Sequence, residues 1–148
     1  MRMALLAALV LVAPAAHAQD KEVLKVPGAV PGLPFSPAIR VGDVVYLSGQ
    51  IGAPLGSKAV VPGGVRAETR QALSNIRTVL EAAGSSLDRV FKCTVFLLDI
   101  GDYSAMNEEY ASVFRTDPPV RSTVAGSGLA VGARVEIECM AVAGDGKH

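Results

Sequence analysis

Residues 65–98 read VRAETRQALSNIRTVLEAAGSSLDRVFKCTVFLL, and a change of period inside this stretch decides the fold. Val65, Thr69, Ala72, Leu73, Ile76, Val79, Leu80 and Ala83 recur at helical spacing and mark one face of a long helix. Gly84, just past the last of them, is the residue expected where a helix terminates in left-handed backbone. From Val90 to Leu98 the residues are β-branched, aromatic and aliphatic, which predicts a strand. On the upstream side, Ile39–Val41 and Val44–Ser48 flank Gly42-Asp43 and predict a tight hairpin. Residues 20–38 are extended and rich in proline, with a short strand expected at Val23–Val26, and Gly49–Gly64 reads as a glycine-rich loop. On the downstream side, Asp102 is placed to cap a second helix whose inner face carries Tyr103, Met106, Tyr110 and Phe114. Pro118-Pro119 stops that helix, and strands follow at Val120–Ala125 and Arg134–Val142.

The order β-β-β-α-β-α-β-β predicts an α+β sandwich, one mixed sheet with both helices on one face. The other sheet face is then bare. A half-covered sheet commonly buries its second face against another subunit, so a homo-oligomer is expected.

The first eighteen residues read differently from the rest. Arg2 precedes the apolar run Met3–Ala13, Pro14 ends it, and Ala16-His17-Ala18 is small at its first and third places. Charged start, apolar middle and small-residue end are the layout of a secretory signal peptide, expected at 1–18. The run is shorter than the roughly 20 residues a membrane span needs. Residues 19–148 then form a single domain, exported to the periplasm or beyond, with no later membrane segment expected.

Charge and composition narrow the chemistry. The chain has 14 basic and 14 acidic side chains, with no basic run, so nucleic acid is not an expected partner. Its histidines are His17, inside the signal, and His148, the last residue. Nucleophile triads and the usual zinc sites both need histidine in the body of the domain, so neither a triad nor a metal is expected. The phosphate-cradling glycine motifs are absent from the sequence. Cys93 and Cys139 each sit in an apolar alternating run and read as small buried hydrophobes; an oxidising compartment would permit a bridge between them.

Two charged residues stand out by position. Arg121 opens a strand just after Pro118-Pro119-Val120, and Glu136 alternates with Val135 and Ile137 in the last strand. A guanidinium fork suits a carboxylate ligand, and a carboxylate can orient and deprotonate a water. Together they suit hydrolysis of a small carboxylic acid. The plainer reading makes Arg121 a solvated edge charge and puts Glu136 and Glu138 on an exposed face. Ser48, Asn107 and Thr123 taken singly read as turn, cap or ladder residues.

Five segments taken together resemble a known family. They are Val45-Tyr46-Leu47-Ser48-Gly49-Gln50-Ile51, Lys92-Cys93-Thr94-Val95-Phe96-Leu97, Met106-Asn107-Glu108-Glu109-Tyr110, Pro119-Val120-Arg121-Ser122-Thr123-Val124 and Val135-Glu136-Ile137-Glu138. In this order and spacing they resemble the RidA, or YjgF-type, reactive-intermediate deaminases, over roughly residues 22–143. The resemblance implies a chorismate-mutase-like α+β fold whose sheets form the barrel-like core of a homotrimer with three interface clefts. It implies hydrolysis of 2-imino acids, or their 2-aminoacrylate tautomers, to 2-keto acids and ammonia, without cofactor or metal. By the same resemblance Arg121 grips the substrate carboxylate and Glu136 positions the attacking water. Phe35, Ser48, Gly49, Asn107 and Thr123 line the cleft, Thr123 standing where many members have cysteine. The family's Pro-Tyr-Ser-Gln-Ala segment is here Pro34-Phe35-Ser36-Pro37-Ala38, so the aromatic wall remains, while a hydroxyl and a backbone donor are lost. Two other readings are a non-catalytic trimer that binds small carboxylates or stabilises other proteins, and an endoribonuclease, which the missing basic stripe disfavours.

Overall fold

The structure, a computed structural model, describes residues 20–144. The expected signal peptide at 1–18 lies outside the described residues. Seven strands and two helices follow in the order β1 (Lys21–Val23), β2 (Ala38–Val41), β3 (Val44–Leu47), β4 (Gln50–Ile51), α1 (Gly64–Ala82), β5 (Val90–Leu97), α2 (Tyr103–Val113), β6 (Val120–Ala125) and β7 (Val135–Val142). The strands form one mixed sheet in the order β1-β2-β3-β7-β5-β6, with β4 also paired to β7. The α+β class and the single sheet are as expected. Two local differences stand out. The first strand lies at Lys21–Val23 rather than Val23–Val26, and the loop after β3 contributes the two-residue strand β4.

The hairpin forms where Gly42 can take a φ of 56° between the paired residues Val41 and Val44. Helix α1 ends as its sequence predicts. Gly84 has a φ of 69°, its N–H bonds the Glu81 carbonyl, and the Ser85 N–H reaches back to the Leu80 carbonyl at 2.8 Å. These two bonds satisfy carbonyls that a helix end leaves without partners. The start of α2 departs from expectation. Asp102 makes no side-chain cap bond; its carboxylate holds the Arg134 guanidinium at 2.7 Å instead. Asp99 is the residue that caps, accepting from the Gly101 N–H at 2.8 Å at the head of the short 3-10 turn leading into α2.

Both helices pack on one sheet face. Val135, Ile137, Cys139 and Ala141 of β7 and Cys93, Val95 and Leu97 of β5 point inward, meeting Leu73, Ile76 and Leu80 of α1 and Met106 and Tyr110 of α2. Burying a side chain of this size contributes about 1.5–3 kcal/mol, which is why strict alternation fixes the face each strand residue takes. Cys93 and Cys139 lie opposite each other across β5 and β7, with Cα atoms 4.1 Å apart, and form a disulfide. The alternation placed both thiols on the inner face. Their shared row depends on a register across 46 residues of chain, which the sequence pattern does not carry.

Among the described residues no helix lies on the other face. Tyr46, Val120, Val124 and Val142 are exposed there among Thr94, Glu138 and Met140. Among the described residues no helix is long and apolar enough to cross a membrane.

Candidate active site

Arg121 sits on β6, the edge strand, directly beside Cys93 in the parallel register with β5. Residues paired across strands share a face, so Arg121 lies with Cys93 on the helix side. Helix α2 receives it there. Nη2 donates to Asn107 Oδ1 at 2.6 Å and to Tyr103 Oη at 3.3 Å, and Nη1 lies 3.9 Å from Met106 Sδ. The guanidinium stacks 4.6 Å from the Tyr110 ring centre and 5.7 Å from that of Tyr103. Positions 103, 106, 107 and 110 follow helical spacing, so one stripe of α2 builds the whole seat. The aromatic faces hold the cation without neutralising it. No carboxylate pairs with it among the described residues.

Two hydroxyls near this seat are enclosed without a hydrogen-bond partner among the described residues, those of Tyr110 and Thr123. Burial pushes the Tyr110 hydroxyl up to about 12, against the opposing pull of Arg121. It stays neutral at any ordinary pH. The Tyr103 hydroxyl is shifted the other way, lowered first by its hydrogen bond with Asn107 and then by Arg121.

Glu136 occupies the opposite sheet face. It pairs with Ile51 of β4 and Phe96 of β5, one step out of phase with the inward Val135 and Ile137. Burial, and then the like charge of Glu138 on the same face, hold its carboxyl above the usual carboxylate range. Gly49 lies against it so closely that a Cβ at position 49 would run into the Glu136 carboxylate. Ser48, Gly49, Phe35, Pro37 and Glu136 line a mainly apolar cavity of about 330 Å³ with Leu33 and Leu55. Ser48 pins the proline-rich segment here, its hydroxyl donating to the Ser36 carbonyl at 2.6 Å and its N–H to the Pro37 carbonyl at 3.0 Å. That anchoring brings the largely exposed Phe35 ring to the cavity wall.

The expected site residues therefore fall into two groups. Arg121, Asn107 and Thr123 gather between β6 and α2; Glu136, Ser48, Gly49 and Phe35 gather round the 330 Å³ cavity. Within one chain the sheet separates them. A larger hollow of about 610 Å³ between the C-terminal ends of the helices contains neither group and is lined by the mixed charges of Arg77, Glu81, Asp88, Arg115 and Asp117.

Sequence reasoning missed four supporting residues. Tyr103 and Tyr110 were assigned only to the packing face of α2, yet both frame Arg121. Asn75, buried in α1, donates to the carbonyls of Ile51 and Ala53 and so fixes the chain beyond β4. Glu68 is 3% exposed and accepts from the Arg134 N–H at 2.7 Å, fixing the approach to β7. A polar residue on an apolar helix stripe was the available signal for both. Among the described residues no cluster of metal-ligating side chains occurs.

An α+β sandwich with a stacked arginine that no carboxylate pairs among the described residues, and with a half-buried carboxylate, has the equipment of a small-carboxylate enzyme. The chain belongs to the Endoribonuclease L-PSP family, whose model matches residues 28–143, the family that also carries the RidA and YjgF names. It is 44% identical over 120 residues to the goat (Capra hircus) 2-iminobutanoate/2-iminopropanoate deaminase, covering 81% of this chain and 86% of that one. Among solved structures it resembles the yeast protein YEO7, with a TM-score of 0.79 and 36% identity over 84% of this chain and 99% of that chain. It also resembles E. coli TdcF with bound serine, with a TM-score of 0.75 and 30% identity over 82% and 98% of the two chains.

Proposed function

We propose that this protein is a hydrolytic imine deaminase, converting 2-imino acids or 2-aminoacrylate to 2-keto acids and ammonia. The observation that carries the reading is the Arg121 seat: a guanidinium oriented by Asn107, stacked on tyrosine and left without a carboxylate partner among the described residues. A 2-imino acid presents the missing carboxylate. The deaminase names of relatives 42–44% identical support the same chemistry.

The chemistry asks little of the protein. A protonated imine is already an electrophile, so fixing its carboxylate and holding a water at the imine carbon supply most of the acceleration. Glu136, in its carboxylate form, takes a proton from that water as it adds, a contribution on the order of 10²–10⁴-fold.

The working unit in this reading is a homotrimer. Arg121 and Glu136 cannot reach one ligand from opposite faces of one sheet, so the edge carrying Arg121 must meet the Glu136 cavity of a second copy. The exposed valines and Tyr46 of the bare face support such packing. Export is supported by the signal-like residues 1–18 and by the Cys93–Cys139 disulfide, a bond favoured in oxidising compartments.

The test is to supply the purified protein with an enzymatically generated 2-imino acid and follow keto-acid release. Acceleration over buffer, lost in Arg121→Ala, is expected; no acceleration by an intact oligomer overturns the reading. The absence of a hydroxyl on Phe35 favours a second reading, a trimer that retains small carboxylates without turnover. In that case Arg121 still binds a 2-keto acid while Glu136→Ala changes no rate.

A further inference from the structure

We propose that the Tyr103 hydroxyl is a catalytic proton donor, giving its hydrogen to the nitrogen that leaves as ammonia. The inference rests on the reading that Arg121 holds the substrate carboxylate. It adds a residue that neither composition nor motif marked as chemical.

The hydrogen-bond pattern comes first. The same Arg121 nitrogen that donates to Asn107 Oδ1 also donates to Tyr103 Oη, at 3.3 Å. The phenol oxygen is thus an acceptor from the guanidinium, and its own O–H is free to point elsewhere. The hydrogen bond with Asn107 favours the phenolate and so also ends on the phenol oxygen, and among the described residues no acceptor is found for the O–H. Tyr103 is 42% exposed, which leaves this hydrogen room to turn to the open side of the seat, where a ligand on Arg121 would lie. In a 2-imino acid the nitrogen is separated from the carboxylate by a single carbon. A donor bonded to the guanidinium that grips the carboxylate is therefore close to that nitrogen.

The surroundings also suit loss of the proton. The Asn107 hydrogen bond and the Arg121 charge both favour the phenolate, and both lower the hydroxyl from its ordinary range. The charged group facing Tyr103 is Arg121 from β6; the neighbouring Asp102 carboxylate is engaged by Arg134. The other aromatics are unsuited. The Tyr110 hydroxyl is held neutral by burial, and Phe35 on the other half-site has no hydroxyl. Apart from His17 and His148 the chain has no histidine to take the role.

The step balances. Water adds to the iminium carbon and Glu136 takes one of its protons, leaving a neutral carbinolamine. Tyr103 gives its hydrogen to the amine nitrogen, the C–N bond breaks with its electron pair going to ammonia, and the carbinol oxygen forms C=O. The proton lost by that oxygen returns to the Tyr103 phenolate, and the proton on Glu136 leaves with ammonia as ammonium.

The experiment compares Tyr103→Phe with Arg121→Ala, both checked for unchanged oligomeric state, in steady-state assays across pH on an enzymatically generated 2-imino acid. Tyr103→Phe keeps the ring under the guanidinium and removes only the hydroxyl. We expect kcat to fall on the order of a hundredfold, KM to stay within roughly twofold, and the alkaline limb of the kcat profile to disappear. A Tyr103→Phe protein with wild-type kcat and pH profile overturns the proposal. So does one altered in KM alone, because that assigns the hydroxyl to positioning Arg121. In both cases a disabled Arg121→Ala leaves the deaminase reading standing. Wild-type behaviour of Arg121→Ala removes the reading on which the proposal depends.

Discussion

Arg121 and Glu136 stand on opposite faces of the same sheet. Arg121 shares a row with Cys93 and Cys139, all turned toward the helices, while Glu136 is three residues from Cys139 and therefore turned away. If both serve one reaction, the active unit spans two chains, and the two defects must complement. Arg121→Ala and Glu136→Ala oligomers should each be inactive alone. Unfolded together in equal amounts and refolded, they should recover about a quarter of wild-type activity, the share of interfaces in a head-to-tail ring that receive an intact Arg121 and an intact Glu136. No recovery, in a mixture shown to exchange subunits, would place the two residues in separate roles.

Glu136 also predicts a pH limit. Its carboxyl is held above the ordinary carboxylate range by burial and by Glu138, and only the ionised form can take a proton from water. The acidic limb of the rate profile should therefore lie above the range of a free glutamate, and Glu138→Gln should move it down. The stability sign is the reverse of an ion-paired acid. The folded chain binds this proton more tightly than the unfolded chain, so Glu136 costs stability as pH rises through its folded pKa. Glu136→Gln should remove that part of the pH dependence in denaturant melts while lowering kcat by about 10²–10⁴-fold.

Gly49 should tolerate no side chain. A Cβ there meets the Glu136 carboxylate group, so Gly49→Ala forces the carboxylate aside with little effect on the rest of the fold. The expected result is a kcat loss approaching that of Glu136→Gln, with a melting temperature near wild type. Full activity in Gly49→Ala would show that the carboxylate need not stay where it is.

The disulfide makes a stability prediction. A bridge closing 46 residues removes about 4 kcal/mol of unfolded-chain entropy in the loop-closure model. Cys93→Ala with Cys139→Ala should unfold at lower denaturant by an amount approaching this, less whatever strain the bridge carries. Equal midpoints for the double variant and the oxidised protein would show that the bridge adds nothing.

The fold was legible because its signals are local. Helix α1 declares itself by the helical spacing of its inner face from Val65 to Ala83 and by Gly84 at its end, β7 by inward residues that keep phase from Val135 to Ala141, and β5 by inward residues that keep phase from Cys93 to Leu97. What is not local was hidden. The pairing of Cys93 with Cys139 and the row that joins Cys93 to Arg121 follow from register between distant strands. Asp102 looked like a cap because its partner, Arg134, is 32 residues away. The motifs drew attention to Arg121, Glu136, Ser48, Gly49, Asn107, Thr123 and Phe35, yet nothing in their spacing tells that the sheet divides them into two groups. Tyr103 was hidden for another reason: an aromatic on an apolar stripe looks the same whether its hydroxyl is idle or bonded to an arginine.

The Cys93–Cys139 bridge has a meaning beyond the energy it contributes. Strands can slip against each other by one residue, and a slip exchanges which side chains face which way. A covalent rung between β5 and β7 forbids that slip at the centre of the sheet. The same row continues to Arg121. The bond thus acts as a fixed index mark between the two central strands: it holds β7, and Glu136 with it, in one register against β5, so that copies of the chain are interchangeable parts, each presenting the same carboxylate on the same side.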